Sequence, residues 1–146
     1  MGRLPKFLLA ALLTIASAAA NANPMKFVVL RGLDKITAHV STFTAPIDQT
    51  VNFGALQITA RSCDKRPPEE VPESAAFLEI VEARQGETPQ KLFSGWMFAS
   101  TPALSALENP IYDLWVLDCT NDANVPAGTS PWNWAGTAIA ADSSLR

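Results

Sequence analysis

The chain has 146 residues, 48% of them hydrophobic, and its 11 basic and 14 acidic side chains give a net charge of −3. This length is typical of one domain that can bury a core. The acidic balance argues against nucleic acid or an anionic membrane as a general partner, because both require a basic surface.

The first 22 residues are typical of a secretory signal peptide. Arg3 and Lys6 precede an uncharged, apolar run from Phe7 to Ala20. The run is about 14 residues long, shorter than the roughly 20 that a membrane-spanning helix needs, which disfavours an uncleaved anchor or a buried helix. We expect cleavage after Ala22 and a periplasmic location, with no membrane span in the mature chain.

From Met25 onward the sequence predicts a single β-rich domain over residues 25–120. Residues 31–34 are typical of a turn between the first two strands. Seven short segments are rich in β-branched, aromatic or alternating apolar residues, which predicts strands at 26–30, 35–43, 51–53, 55–63, 75–81, 92–99 and 111–119.

Alternation within two of these segments predicts which side chains face the core. In the second segment, His39 lies on the polar face, opposite to Ile36, Ala38 and Val40. In the fourth segment the residues that we expect to face inward are Leu56, Ile58 and Ala60.

The last two predicted strands, 92–99 and 111–119, are apolar on both faces, which is typical of central strands covered on each side. Because sequential strands usually lie next to one another, we expect these two to pair as a core hairpin. Thr101 as N-cap and Pro102 at the first helical position predict a short helix between them, ended by Asn109-Pro110. The fold class is therefore all-β: a small β-sandwich or partly closed barrel of six or seven short strands with one short helix.

Cys63 and Cys119 are the two cysteines of the chain. Export to an oxidising compartment favours a structural disulfide between them. In the chain-entropy picture, closing this loop of about 57 residues stabilises the fold by about 4 kcal/mol. A redox-active pair or a metal site is less favoured, because the sequence has no CxxC motif and no histidine cluster.

The segment 64–74, DKRPPEEVPES, is rich in charges and contains three prolines. Its Pro67-Pro68 pair favours an extended, polyproline-like path. Two interpretations are open: a solvated connector, or a rigid docking arm that meets a partner. In the second, the candidate partner-binding residues are Lys65, Arg66, Pro67, Pro68, Glu69 and Glu70.

Residues 121–146 form a Pro-, Gly- and Ser-rich C-terminal tail, which indicates loop or disorder. Trp132 and Trp134 are exceptions, because two tryptophans favour burial of some apolar area. They either dock on the domain's own surface or form a partner-binding anchor.

No constellation in the chain points to catalysis. His39 is the only histidine and is typical of a surface residue of a strand. Asp113 and Asp118 differ by an odd number of positions, so without a bulge they face opposite ways and cannot act as a carboxylate pair. We expect Asp118 to bond to the backbone or to a basic group. The acids of the 64–74 segment fit no calcium loop, and we expect no cofactor and no metal.

Four motifs together resemble an exported bacterial family known as domain of unknown function 2155. They are LDKITA at 33–38, FGALQITARSC at 53–63, RPPEE at 66–70 running into ESAAFLEI at 73–80, and FSGWMFASTPALSALENPIYDLWVLDC at 93–119. The resemblance covers about Leu30 to Thr120. It implies a secreted domain of Gram-negative bacteria and offers no catalytic residues to carry over.

The prominent features are a stiff charged loop and aromatic side chains, with no reactive group. We therefore expect a non-enzymatic cell-envelope binding or adaptor module with an envelope protein as its partner. The alternatives are an envelope hydrolase, which requires His39 and Asp113 in one cleft, a small-ligand carrier, which requires an apolar pocket, and a purely structural envelope protein.

Overall fold

The alternating apolar segments form eight antiparallel β-strands in a computed structural model, which describes residues 23–124. The all-β prediction is confirmed, and the strands make two sheets with no closed barrel. The strands are β1 (Asn23–Pro24), β2 (Phe27–Asp34), β3 (His39–Pro46), β4 (Thr50–Phe53), β5 (Leu56–Lys65), β6 (Ser74–Glu82), β7 (Gln90–Phe98) and β8 (Tyr112–Thr120).

Sheet A has the strand order β1-β5-β6-β7, and β4 also pairs with β5. β1 and β4 occupy the same edge of β5, because β4 pairs with residues 56–59 and β1 with residues 64–65. Sheet B is a three-stranded sheet with the order β3-β2-β8. No helix within residues 23–124 is long and apolar enough to cross a membrane.

The core lies between the two sheets and consists of alternate residues from the strands of both. The predicted inward face of β5 is confirmed, since Leu56, Ile58 and Ala60 are fully buried. They pack in one cluster with residues of other strands, among them Val28, Leu30, Leu78, Ile80, Leu114 and Val116.

The predicted disulfide is also confirmed. Cys63 of β5 and Cys119 of β8 are bonded, with their Cα atoms 5.6 Å apart. The bond is buried and joins sheet A to sheet B at one end of the sandwich.

The predicted pairing of the last two strands is wrong. β7 pairs with β6 and β8 pairs with β2, so each is an edge strand of a different sheet. The two-sided apolar pattern of β7 has another cause: Trp96 packs edge-on against Phe77 with ring centroids 5.7 Å apart, and Trp96 remains 40% exposed. The outer face of this strand is therefore aromatic without being covered.

The predicted short helix between β7 and β8 is confirmed as a single 3₁₀ turn at Pro102–Ser105. Pro102 stands at its start as expected, but the Thr101 side chain makes no capping hydrogen bond. Buried Asn109 acts further along the connection, where its Oδ1 accepts hydrogen bonds from the backbone N–H groups of Ile111 and Tyr112 at 2.9 Å.

The first turn lies four residues later than predicted. Residues 31–34 belong to β2, and the turn occupies residues 35–38. Asp34 organises it, because its Oδ1 accepts hydrogen bonds from the N–H groups of Ile36 (2.9 Å) and Thr37 (3.2 Å). These donors, the Thr37 N–H above all, favour the carboxylate and lower the pKa of Asp34.

The predicted inward face of the second strand is consequently wrong. Ile36 is 76% exposed and Val40 is 54% exposed, and Ala38 has a left-handed φ of 55° within the turn. The apolar alternation there reflects the turn and the exposed start of β3.

Aromatic rings fill the end of the sandwich opposite to the disulfide, which we call the closed end. The Phe53 ring lies between Phe43 and Tyr112, at centroid distances of 5.7 and 5.8 Å. Gly32 lies directly beneath this ring, and a Cβ atom at that position would be only 2.6 Å from it. Gly54, with a φ of 57°, leaves equivalent room for the Tyr112 ring.

Candidate functional site

A cleft of about 490 Å³ opens at the disulfide end of the sandwich. We call it the loop cleft, because the β5–β6 connection forms much of it. Residues of β1 and β8, the residue Met25 and the segment that follows β7 complete it. The residues that line the cleft are Asn23, Met25, Lys65, Arg66, Pro67, Pro68, Pro72, Glu73, Ser74, Ala99, Ser100, Leu117 and Asp118.

The β5–β6 connection is folded back on itself. The N–H of Arg66 donates to the carbonyl of Glu73 (3.0 Å), which continues the β5–β6 pairing, and the N–H of Glu70 donates to the carbonyl of Pro67 (3.1 Å). Residues 67–70 therefore form a hydrogen-bonded turn, and the extended path predicted from Pro67-Pro68 is wrong. Because proline has no N–H, the three prolines present apolar rings and no backbone donor to the cleft.

A β-bulge in β8 shapes the opposite side of the cleft. Val29 of β2 pairs with Asp118 and the next residue, Leu30, pairs with Val116, which leaves Leu117 without a partner in the register. Such a bulge re-aims the side chains next to it. Leu117 and Asp118 both line the cleft as a result.

Asp118 links the two sheets across the cleft. Its carboxylate accepts hydrogen bonds from Lys65 Nζ, from the Ser74 hydroxyl and from the Cys119 N–H, each at 2.8 Å. Both parts of the expected role, bonding to the backbone and pairing with a basic group, are confirmed. Ser74 is only 5% exposed, so Asp118 also satisfies a buried hydroxyl.

Glu73 fixes a third side of the cleft. Its Oε1 accepts hydrogen bonds from the N–H groups of Ser74 (3.1 Å) and Ser100 (3.2 Å), and its Oε2 accepts one from the Ser100 hydroxyl. The β5–β6 connection is thereby attached to the segment that follows β7. A charged loop held by these bonds is fixed relative to the strands.

The cleft combines apolar surface with a few polar groups that already have partners. The carboxylates that line it already bond to Lys65, Ser74 and Ser100, while its remaining surface is largely proline, alanine, methionine and leucine. Sites for apolar ligands combine such surfaces with a few fixed polar groups. Within residues 23–124, no group of three or more His, Cys, Asp or Glu side chains is placed to hold a metal ion.

The structure brings together four of the six candidate residues from the loop, since Lys65, Arg66, Pro67 and Pro68 all line the cleft. Glu69 and Glu70 are exposed and lie outside its lining. The candidates Trp132 and Trp134 lie outside the described residues. Sequence reasoning missed Glu73, Ser100 and Leu117 as site residues, because their roles depend on contacts between distant segments or on the bulge.

His39 and Asp113 do not form the cleft that a hydrolase would require. Asp34 of β2 pairs with His39 on one side and with Tyr112 on the other. Asp113 is the residue that follows Tyr112 in β8. Because neighbouring positions on a strand face opposite sides of a sheet, His39 and Asp113 lie on opposite faces of sheet B. Asp113 instead forms an ion pair with Lys35, with an N–O distance of 2.7 Å.

Comparison with known proteins identifies a relative of bacterial origin. The chain is 32% identical over 87 residues to "Uncharacterized protein RP359" of Rickettsia prowazekii (strain Madrid E), a match that covers 60% of this chain and 56% of that protein. The chain thus spans little more than half the length of this curated relative. No solved structure matches significantly. Residues 28–119, from the core of β2 to the cysteine of β8, match the family described as "Uncharacterized protein conserved in bacteria (DUF2155)", and the chain belongs to this family.

Proposed function

We propose that this protein is an exported, periplasmic binding or adaptor module without enzymatic activity, and that its loop cleft holds an apolar segment of another cell-envelope protein. The observation that carries the proposal is the loop cleft itself. It is the one place in the described part of the chain where four candidate partner-binding residues meet a concave apolar surface.

The arrangement of polar and apolar groups supports a protein partner. Protein interfaces have an apolar centre and a polar rim, and charged side chains are depleted at the centre. Here Met25, Pro67 and Leu117 provide apolar surface, and the exposed side chains of Glu69 and Glu70 stand beside it. The ion pair of Lys65 with Asp118 leaves neither charge in need of a ligand.

Export is supported by the disulfide, and the expected cleavage site has a consequence for the cleft. A disulfide persists in an oxidising compartment such as the periplasm. Cleavage after Ala22 would make Asn23 the first residue of the mature chain, and Asn23 lines the loop cleft. Removal of the signal peptide would therefore leave a chain end at the cleft.

A small-ligand carrier is the second candidate, favoured by the volume of the cleft. About 490 Å³ lies within the range of roughly 300 to 1,000 Å³ that is typical of small-molecule sites. A carrier would hold an apolar compound that co-purifies and can be extracted with organic solvent.

The test is photo-crosslinking in cells. A photoreactive residue at Pro68, an exposed position on the lining of the cleft, is compared with one at Ile36, which is also exposed but lies at the closed end. We expect one discrete envelope protein, identified by mass spectrometry, to be captured from position 68 and not from position 36.

Arg66→Glu tests whether capture depends on the cleft, because Arg66 is exposed and lines it. Lys91→Glu reverses an exposed charge on β7 as the control. We expect Arg66→Glu to reduce capture severalfold while the unfolding midpoint is unchanged, and Lys91→Glu to alter neither. Equal capture from positions 68 and 36, or capture insensitive to Arg66→Glu, would contradict the proposal.

A further inference from the structure

We infer that the loop cleft is occupied by the chain's own C-terminal tail, through the tryptophan segment Pro131-Trp132-Asn133-Trp134. This inference names a regulation of the cleft. Its consequence for partner binding rests on the proposed function, whereas the docking itself can be measured without any partner. Three features support it: reach, chemistry and effective concentration.

The tail is long enough for Trp132 to reach the cleft. Asp118 lines the cleft, and Asn124, six residues later, is the last described residue. Six residues span at most about 22 Å, whereas the eight residues from Asn124 to Trp132 extend to about 26 Å or more. The distance from Asn124 back to the cleft is therefore always shorter than the length of chain available to Trp132.

The chemistry of the tryptophan segment matches that of the cleft. Residues 125–141 contain no charged side chain, so burying part of them leaves no unpaired charge. In the cleft, Lys65 and Asp118 form an ion pair, and the Glu73 carboxylate accepts hydrogen bonds from Ser74 and Ser100. A buried tryptophan needs an acceptor for its indole N–H, and the carboxylates of Glu73 and Asp118 both line the cleft.

Connection through a short chain favours docking within one molecule. A random coil of eight residues has a root-mean-square end-to-end distance of roughly 16 Å, which lies below the limit of about 22 Å set by the six residues between Asp118 and Asn124. Short flexible linkers give effective concentrations in the millimolar range. Even weak affinity of the segment for the cleft therefore produces substantial occupancy, ahead of a second copy at micromolar concentration.

The consequence is competition between the tail and a partner. If the tail closes the cleft in nine molecules out of ten, the apparent affinity for a partner falls about tenfold. Replacing both tryptophans should then raise the capture of the partner by about the same factor.

The direct test is NMR spectroscopy of the full exported chain labelled with ¹⁵N. We expect Trp132→Ala/Trp134→Ala to shift the amide resonances of cleft residues such as Met25, Ser74 and Leu117, and to leave that of Gly54 at the closed end unchanged. Ile139→Ala/Leu145→Ala removes apolar groups from the same tail as the matched control and should shift none of them.

Four outcomes overturn the inference: no shifts, shifts around Phe77 on the outer face of sheet A, shifts that disappear on dilution because docking is between copies, or equal shifts in the control variant. The crosslinking test stays separate. Capture from position 68 without cleft shifts removes only the tail inference, whereas cleft shifts without any capture remove only the proposed binding function.

Discussion

The two ends of the sandwich are built in different ways. At the closed end the rings of Phe43, Phe53 and Tyr112 pack on one another. Gly32 has no side chain, which leaves room for the Phe53 ring. At the other end a disulfide joins the sheets, and the space beyond it forms the loop cleft. Ring packing thus holds the two sheets together at one end, and a covalent bond holds them together at the other.

This difference explains how a small domain keeps a cavity at one end. Side chains packed as at the closed end leave no room for a ligand. A disulfide holds two strands together without filling the space around them, because two sulfur atoms occupy far less volume than three aromatic rings. Cys63 lies two residues before Lys65 and Cys119 directly follows Asp118, so the bond supports both sides of the cleft.

Removal of the disulfide should have the largest effect on stability. We expect Cys63→Ser/Cys119→Ser to lower the free energy of unfolding by about 4 kcal/mol, because the two cysteines are 56 residues apart and the bond restricts that loop in the unfolded chain. Urea denaturation followed by circular dichroism measures the loss. Chemical reduction of the natural protein serves as the control and should give the same loss, and a reduced protein as stable as the oxidised one would contradict the prediction.

The closed end should be sensitive to added volume. Gly32→Ala places a methyl group 2.6 Å from the Phe53 ring, which is held between two other rings, and overpacking of this kind typically costs about 1 to 3 kcal/mol. Gly95→Ala is the matched control, because its Cβ would meet Phe93 at an ordinary 3.5 Å. Thermal unfolding should show a clearly lower midpoint for Gly32→Ala alone. Equal midpoints for the two variants would mean that the closed end is not tightly packed.

The strands and the disulfide could be predicted from the sequence because their signals are local. Leu56, Ile58 and Ala60 repeat with the period of a strand, and two cysteines allow only one pairing. The pairing of β7 and β8 could not be predicted, since an apolar residue such as Trp96 gives the same pattern whether it is covered or lies on an exposed aromatic face. Neighbouring strands of a sandwich can also belong to different sheets.

Only part of the loop cleft could be predicted for a similar reason. Composition identified Lys65, Arg66 and the two following prolines. The roles of Glu73 and Ser74 depend on bonds to residues 27 and 44 positions away in the chain. No local pattern reports such contacts, and the bulge at Leu117 that exposes Asp118 to them is equally invisible to periodicity.

Two aspartates of β8, one near each end of the sandwich, allow the stability contributions of single ion pairs to be compared. Asp113 pairs with Lys35 near the closed end and Asp118 pairs with Lys65 at the cleft, and both pairs are partly exposed. Exposed ion pairs contribute about 0 to 1 kcal/mol, so we expect Asp113→Ala to cost no more than that. Asp118→Ala should cost about 1 to 2 kcal/mol, because it also leaves the buried hydroxyl of Ser74 without its acceptor.

Urea denaturation of both variants at two salt concentrations separates these contributions. Salt screens exposed charges, so it should reduce the small loss in Asp113→Ala and leave most of the loss in Asp118→Ala. The control is Ser74→Ala/Asp118→Ala, which removes the hydroxyl together with its acceptor and should recover part of the stability that Asp118→Ala loses. Equal destabilisation and equal salt dependence of Asp113→Ala and Asp118→Ala would contradict the prediction. The hydrogen bond between Asp118 and Ser74 would then have no part in holding the two sheets together, and the disulfide alone would join them at the cleft.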